Sequence, residues 1–176
     1  MAGLLHRKVV ADAMLACLSA GFNETVADLA AEYETETISL DFSSESKNVV
    51  LRRVNPAQLE ISGLVEFPGM AIYTEDVRDG YPNIVKGMRF CGEVTGAVEI
   101  FLLTREGAEE ADVERQIDII EDAVLGLYSA YTWPVSSAAS VVYSRQSVSS
   151  RGEFMELADG YAQSITISAR FGVSIP

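Results

Sequence analysis

The sequence predicts an α+β fold, a mostly antiparallel sheet packed by an N-terminal helix and by one long amphipathic helix over about residues 109–131. Three observations favour this fold. Apolar residues recur at helical spacing in some segments, they alternate with polar residues in others, and no internal repeat or low-complexity tract divides the chain. A chain of 176 residues is long enough to form one hydrophobic core but short for two. We therefore expect a single domain over residues 1–176.

The N-terminal segment predicts a helix followed by a shorter one. Apolar residues within 5–18 keep helical spacing, and Gly21 stands where a C-terminal cap belongs. Asn23 is the predicted N-cap of the second helix, which reaches about Tyr33.

Residues 22–63 are predicted to form a variable insertion or arm. Within it, TETISLDF (35–42) alternates like a strand, and SSESKN (43–48) is typical of a polar loop. The Asn-Pro pair at 55–56 interrupts whatever precedes it, so residues 49–59 remain ambiguous.

Three segments in the middle of the chain predict strands. Phe67-Pro68-Gly69 bends the chain before a strand at 70–73. Residues 88–104 form the strongest strand, and its apolar run near 100–103 is typical of a strand covered on both faces. A further strand is predicted at 138–143.

The long helix has the clearest pattern in the chain. Its apolar residues recur at spacings of three and four and form one stripe: Val113, Ile117, Ile120, Val124, Leu127 and Tyr131. Acidic residues crowd its first turns, where the helix dipole favours negative charge, and Trp133-Pro134 ends it.

The closing segment, 160–175, predicts a long strand with two unlike faces. From Ile165 onward the odd positions are apolar, which indicates a face buried under the helical stripe. The even positions are mostly small and hydroxylic: Ser164, Thr166, Ser168, Arg170, Gly172 and Ser174. This second face is therefore a candidate lining or contact surface.

Composition excludes several classes of protein. The net charge of −13, from 26 acidic and 13 basic residues, argues against binding nucleic acid through its phosphates and against docking on anionic membranes. We expect no signal peptide and no membrane span, which needs roughly 18 apolar residues, so the chain should stay in the cytoplasm that makes it. Cys17 and Cys91 are predicted to be buried, reduced thiols.

No motif in the sequence names a reaction. A catalytic triad would have to use His6, the only histidine, and neither a nucleophile elbow nor a phosphate-binding glycine loop is present. The acidic face of the long helix, which includes Asp122, is interpreted as a solvated face rather than a metal site, because carboxylates four residues apart converge only partly. We therefore expect no enzyme, no cofactor and no metal.

Two groups of residues keep alternative interpretations. The Ser-rich stretches 136–137 and 147–152 are either flexible surface loops or segments ordered only against a neighbouring subunit. Several aromatic residues are predicted to belong to the core or an interface rather than to a ligand cage. They are Tyr128, Tyr131, Trp133, Phe90 and Phe101.

The order of these elements resembles the tail terminator (tail completion) proteins of long-tailed bacteriophages and the related neck proteins that share their fold. The resembling segments are an N-terminal helix, FPGMAIYTED (67–76), GEVTGAVEIFLLT (92–104), EEADVERQIDIIEDAVLGLY (109–128) and GYAQSITISARFGVSI (160–175). The match is one of pattern and order, over roughly 4–18 and 66–176. Residues 22–63 are longer than the resemblance requires and are interpreted as an added contact arm.

The resemblance implies a structural protein of the virion, made in the host cytoplasm. It implies a homo-oligomer, a hexameric ring, that caps the tail tube and joins it to the head connector and neck proteins, with no membrane contact. DNA passes through its channel without specific binding, and no catalytic residues carry over. Another head-tail connector, a tail tube or baseplate protein, and a small non-enzymatic cellular adaptor are the alternatives.

In a ring of this kind, some residues would line the channel and others would contact the neighbouring subunit. A channel lined by carboxylates repels DNA phosphates, whereas a basic lining would hold them. The candidate channel-facing residues are Glu110, Glu114, Asp118 and Glu121. Candidate subunit contacts lie at sheet edges and in the loops 79–86 and 148–153: Asp79, Tyr81, Asn83, Arg151 and Glu153.

Overall fold

The α+β prediction is confirmed, with two helices and a six-stranded sheet within the described residues. A computed structural model describes residues 2–54, 67–79, 90–104, 110–136, 139–152, 155–157 and 160–175. The elements are α1 (Ala2–Glu32), β1 (Val49–Val50), β2 (Gly69–Asp79), β3 (Phe90–Thr104), α2 (Glu110–Ala130), β4 (Ser140–Arg151), β5 (Met155–Leu157) and β6 (Gly160–Ile175). The strand order is β1-β2-β3-β6-β4, with β5 also pairing with β6. β1 pairs with β2 in parallel, and the other strand pairs are antiparallel.

Both helices pack on one face of the sheet and form the main core with it. The odd positions of β6 are buried there, and Ile165, Ile167 and Phe171 join the same cluster as Ile117 and Val124 of α2. The predicted helical stripe and the predicted buried face of the closing strand are thereby confirmed.

The central strand β3 is buried on both of its faces, as its sequence predicts. On the face away from the helices, Ala97 and Phe101 pack with Ala71, Tyr73 and Val54 in a second, smaller cluster. The short segment at 49–54 therefore covers part of the sheet face that the helices leave open, which we call the open face.

The N-terminal helices predicted from the sequence are one continuous helix. Gly21, predicted as a cap, lies inside α1, which continues to Glu32. A Cβ atom at Gly21 would lie 2.9 Å from Leu127 Cδ2 of α2, closer than real side chains pack. The glycine thus marks the point where the two helices approach each other rather than the end of a helix.

Asn23 does not cap a helix, because its amide binds a distant segment. Its Nδ2 donates to Leu40 O (2.8 Å), and Leu40 N donates to its Oδ1 (2.9 Å). The segment 35–42 is consequently held against α1 and is not part of a strand, contrary to the prediction. Its alternation remains meaningful, since Leu40 is buried and Ile38 and Phe42 pack on the core.

Replacing Asn23 by alanine should lower the free energy of unfolding by about 1–2 kcal/mol, because both backbone groups of Leu40 lose their partner. Urea unfolding followed by circular dichroism measures the change. Glu24→Ala is the matched control, since Glu24 is the exposed neighbour in the same helix. Equal losses in the two variants would show that the Asn23–Leu40 pair contributes nothing.

The strand predicted at 138–143 is longer than its sequence indicates. β4 runs over Ser140–Arg151, so residues 147–151 of the predicted loop pair with β6. Serine is a weak strand former, but here it pairs with a long strand whose register is set by its buried face.

One helix is long and apolar enough, by length and composition alone, to cross a membrane. It spans Leu5–Glu32 with a mean hydropathy of 1.2, which contradicts our expectation that no segment would pass that test. A core helix of a globular fold passes it too. Here the buried side of α1, which includes Val10, Met14 and Leu18, packs in the main core.

Candidate contact surfaces

Arg151, a predicted subunit contact, lies beside two of the carboxylates predicted to face a channel. Its Nη2 donates to Asp118 Oδ1, and its Nη1 lies 3.7 Å from Glu114 Oε1. The four-residue spacing puts both carboxylates on one side of α2, within reach of a single guanidinium. The three side chains are between 42% and 62% exposed, so the pairs add little to stability, about 0.2–1 kcal/mol each in such settings.

The next turn of α2 contacts the same strand. Ser149 Oγ donates to Glu121 Oε1 at 2.6 Å. Ser149 and Arg151 are two residues apart in β4 and therefore project from the same face of the strand. The flank of α2 that carries Glu114, Asp118 and Glu121 thus lies beside the C-terminal half of β4. Arg151 from the predicted subunit contacts meets three of the predicted channel-facing residues there, within one chain.

The remaining candidates are only partly placed. Glu110 begins α2, and Asp79 ends β2 opposite Gly92 of β3. Tyr81, Asn83 and Glu153 lie outside the described residues.

A shallow cleft of about 470 Å³ lies on the solvent side of α2. Its lining consists of three carboxylates, one arginine, one tyrosine and one isoleucine: Asp118, Glu121, Asp122, Arg115, Tyr33 and Ile119. The carboxylate excess leaves this side of the helix negative, which suits repulsion of phosphates better than their binding.

Glu99 is a buried carboxyl that was not among the residues predicted from the sequence. It lies on the open face of β3, only 7% exposed, opposite Ala71 and Thr166. Burial raises its pKa above the ordinary value of 4.5, against the opposing effects of Arg53 and a hydrogen bond with Ser164. The available signal was one Glu within the apolar string VEIFLL.

The side chains around Glu99 connect the segment 49–54 to the sheet. The guanidinium carbon of Arg53 lies 5.7 Å from the ring centroid of Tyr73, within range of a cation–π contact. Burial, together with the charges of Glu99 and Glu75, raises the pKa of Tyr73 to about 12. Tyr73 therefore stays neutral at physiological pH and acts in packing.

Glu99→Gln should change how stability depends on pH. The unfolded carboxyl ionises near 4.5 while the folded one ionises at higher pH, so rising pH through this window favours the unfolded state. As the pH rises above about 4.5, the free energy of unfolding of the wild type should therefore fall relative to that of Glu99→Gln. Below pH 4.5 the change in this relative stability with pH should be smallest. Urea midpoints of both proteins across pH 4–8 provide the measurement, with the exposed Glu24→Gln as control. Parallel curves for wild type and Glu99→Gln would contradict the burial of an ionising group.

The aromatic residues near the end of α2 are core residues, as predicted. Tyr128 is 1% exposed, and its ring contacts those of Trp133, Tyr143 and Phe171 at centroid distances of 5.5–5.8 Å. Trp133 Nε1 donates to Tyr128 O at 3.0 Å, which ties the segment after the helix to its last turn.

The thiol of Cys17 is buried and free, as predicted, and burial raises its pKa to about 12. It is therefore a poor nucleophile. His6 is buried in α1, only 1% exposed. Within the described ranges, no group of three or more His, Cys, Asp or Glu residues is arranged to hold a metal ion.

Comparison with protein-family models and with curated proteins finds no match for this chain.

Proposed function

We propose that this protein is a structural subunit of the neck or tail of a long-tailed bacteriophage, and that its copies form a ring. The ring would cap the tail tube, join it to the head connector and leave a channel for DNA. The observation that carries the proposal is the one-sided packing of the sheet, with both helices on one face. On the other face the β6 row Thr166, Ser168 and Arg170 is half-buried, and its hydroxyl and guanidinium groups can form hydrogen bonds with another protein of the virion.

The order of the elements supports the same proposal. The N-terminal helix is followed by a strand at 69–79, a long strand at 90–104, an amphipathic helix at 110–130 and a closing strand at 160–175. This is the order in which the resembling segments occur in the phage proteins.

The acidic side of α2 gives the proposed ring a surface that DNA would not adhere to. Arg151 lies beside Glu114 and Asp118, and one guanidinium cannot neutralise two carboxylates. Asp122, four residues after Asp118 and therefore on the same side of the helix, is exposed as well. Under the proposal the side of α2 that carries Glu114, Asp118 and Asp122 faces the channel. Its negative charge repels the phosphates of the DNA, so the DNA does not bind to the channel wall.

Size-exclusion chromatography with light scattering, followed by negative-stain microscopy, tests the ring. We expect a closed ring with a central hole, formed by the protein alone at high concentration or after addition of purified tail tubes. A protein that stays monomeric in both conditions and does not bind the ends of the tubes would contradict the proposal.

A further inference from the structure

Two strands, β2 and β4, each carry a bulge with exposed charged side chains near a side edge of the sheet. β1 covers the outer side of β2 only at Met70 and Ala71, so within the described residues Ile72–Asp79 pair with no strand on that side. In β2 the pairing with β3 passes from Thr74↔Gly96 to Val77↔Val94, so that Glu75 and Asp76 both stand opposite one residue. Both are exposed. A bulge of this kind bends the strand and redirects its side chains.

The bulge in β4 is larger and carries the opposite charge. Pairing with β6 passes from Tyr143↔Phe171 to Ser147↔Ala169, so residues 144–146 stand opposite Arg170. Arg170 helps to hold the bulge, since it accepts from Ser144 Oγ (2.7 Å) through its carbonyl and donates through Nη1 to Gln146 Oε1 (3.0 Å).

Arg145, at the tip of this bulge, has a left-handed backbone with φ of 56°. That conformation is costly for a residue with a side chain, and it persists only where the surrounding structure holds it. Its side chain is exposed and forms no ion pair with any side chain that the structure describes. The same holds for Glu75 and Asp76.

The two bulges lie on one row across the sheet. Thr95 of β3, which faces the β2 bulge, pairs with Arg170 of β6, which faces the β4 bulge. Because each of the three successive pairs from β2 to β4 is antiparallel, β4 runs antiparallel to β2. A second copy moved sideways along this row therefore brings its β2 antiparallel to β4 of the first, with the bulges in register.

Charge and exposure favour that pairing. β4 contains two arginines and no acidic residue, in a chain with 26 acidic and 13 basic residues. Arg151 is paired with Glu114 and Asp118 of its own chain, which leaves Arg145 as the charge available to a neighbour. β2 contains three acidic residues and one basic. β4 is the last strand on its side of the sheet. Residues 134–136 cover only its first two residues, so within the described residues the rest of its outer side pairs with no strand and is a ready template for another chain.

We propose that β4 of one subunit pairs with the outer side of β2 in a second copy of this chain, beyond the two residues that β1 covers, with Arg145 facing Glu75 and Asp76. This inference rests on the proposed ring and names the contact that builds it. Since the two edges are different surfaces, the contact is head-to-tail and repeats until the rotation closes a ring.

Charge reversal in the full-length chain tests the contact. Arg145→Glu alone, and Glu75→Lys with Asp76→Lys, should each lower the oligomer fraction at least tenfold in sedimentation velocity. Mixing the two variant proteins should restore oligomers of alternating subunits, because each variant edge then meets its opposite. Glu24→Lys, on exposed α1 surface, is the control and should leave assembly unchanged.

Cross-linking gives a second readout that detects weak association. Arg145→Cys mixed with Asp76→Cys should form a disulfide-linked dimer in much higher yield than Arg145→Cys alone or mixed with Glu24→Cys. Equal yields, or oligomers that survive both charge reversals, would overturn the edge contact. If the charge-reversal variants still formed rings, the edge contact would be wrong but the proposed function would remain. If the specific cross-link formed only in dimers or open filaments, the contact would be supported and the ring contradicted.

Discussion

Phe171→Ala is expected to lower the free energy of unfolding by about 3–5 kcal/mol, the largest effect among the substitutions considered. Phe171 is fully buried, and its ring centroid lies 5.0 Å from that of Trp133 and 5.8 Å from those of Tyr128 and Tyr143. Truncation removes the side chain that joins β6, β4 and the end of α2, and it leaves a cavity that three rings cannot fill. Urea unfolding followed by tryptophan fluorescence measures the loss.

Two controls separate this effect from a general sensitivity of the sheet. Phe171→Leu keeps most of the volume and should cost less, about 1–2 kcal/mol. Val142→Ala lies one strand away, opposite Gly172, and should change stability by less than about 0.5 kcal/mol because Val142 is 56% exposed. If Phe171→Ala cost no more than Val142→Ala, the aromatic cluster would not be the core described here.

Gly96→Val should lower the free energy of unfolding by about 2–3 kcal/mol through overpacking. A Cβ atom at Gly96 would lie 2.4 Å from Met14 Sδ and 3.0 Å from Phe171 Cε2. Met14 is fully buried between α1 and the sheet, so it cannot move into solvent to make room. The missing side chain at Gly96 is what allows α1 to lie close to β3.

Gly126→Ala is the matched control, and it should have the opposite sign. A Cβ at Gly126 would meet nothing within 4 Å, and Gly126 is an exposed position inside α2. Alanine there should raise stability by about 0.5–1 kcal/mol, because glycine is a poor helix former. Thermal unfolding of both variants measures the two changes in stability. A gain in stability for Gly96→Val would contradict the close approach of α1 to the sheet.

Periodicity in the sequence predicted the elements that pack on a flat or helical surface, since burial imposes the period directly. The stripe of α2 and the alternation of β6 are cases of this kind. Gly21 and Asn23 were misinterpreted because a local pattern cannot distinguish a cap from a residue used by a distant partner. Gly21 makes room for Leu127, and Asn23 binds the backbone of Leu40.

The candidate surfaces were less predictable than the fold. The sequence indicated acidic residues on one side of α2 but not their contact with Arg151, because residues 33 positions apart meet only through the sheet. The bulges were also hidden, since a register shift depends on the partner strand. Arg145 gave no signal at all, because nothing in SRQS predicts a left-handed residue.

The most direct test of the proposed function is a cryo-electron microscopy reconstruction of the phage particle whose genome encodes this chain. We expect copies of the protein in a ring at the head-proximal end of the tail tube, with the acidic side of α2 toward the channel and β4 of each subunit beside β2 of the next. A particle that lacks the chain, or one in which it lies away from the neck and tail, would contradict the account.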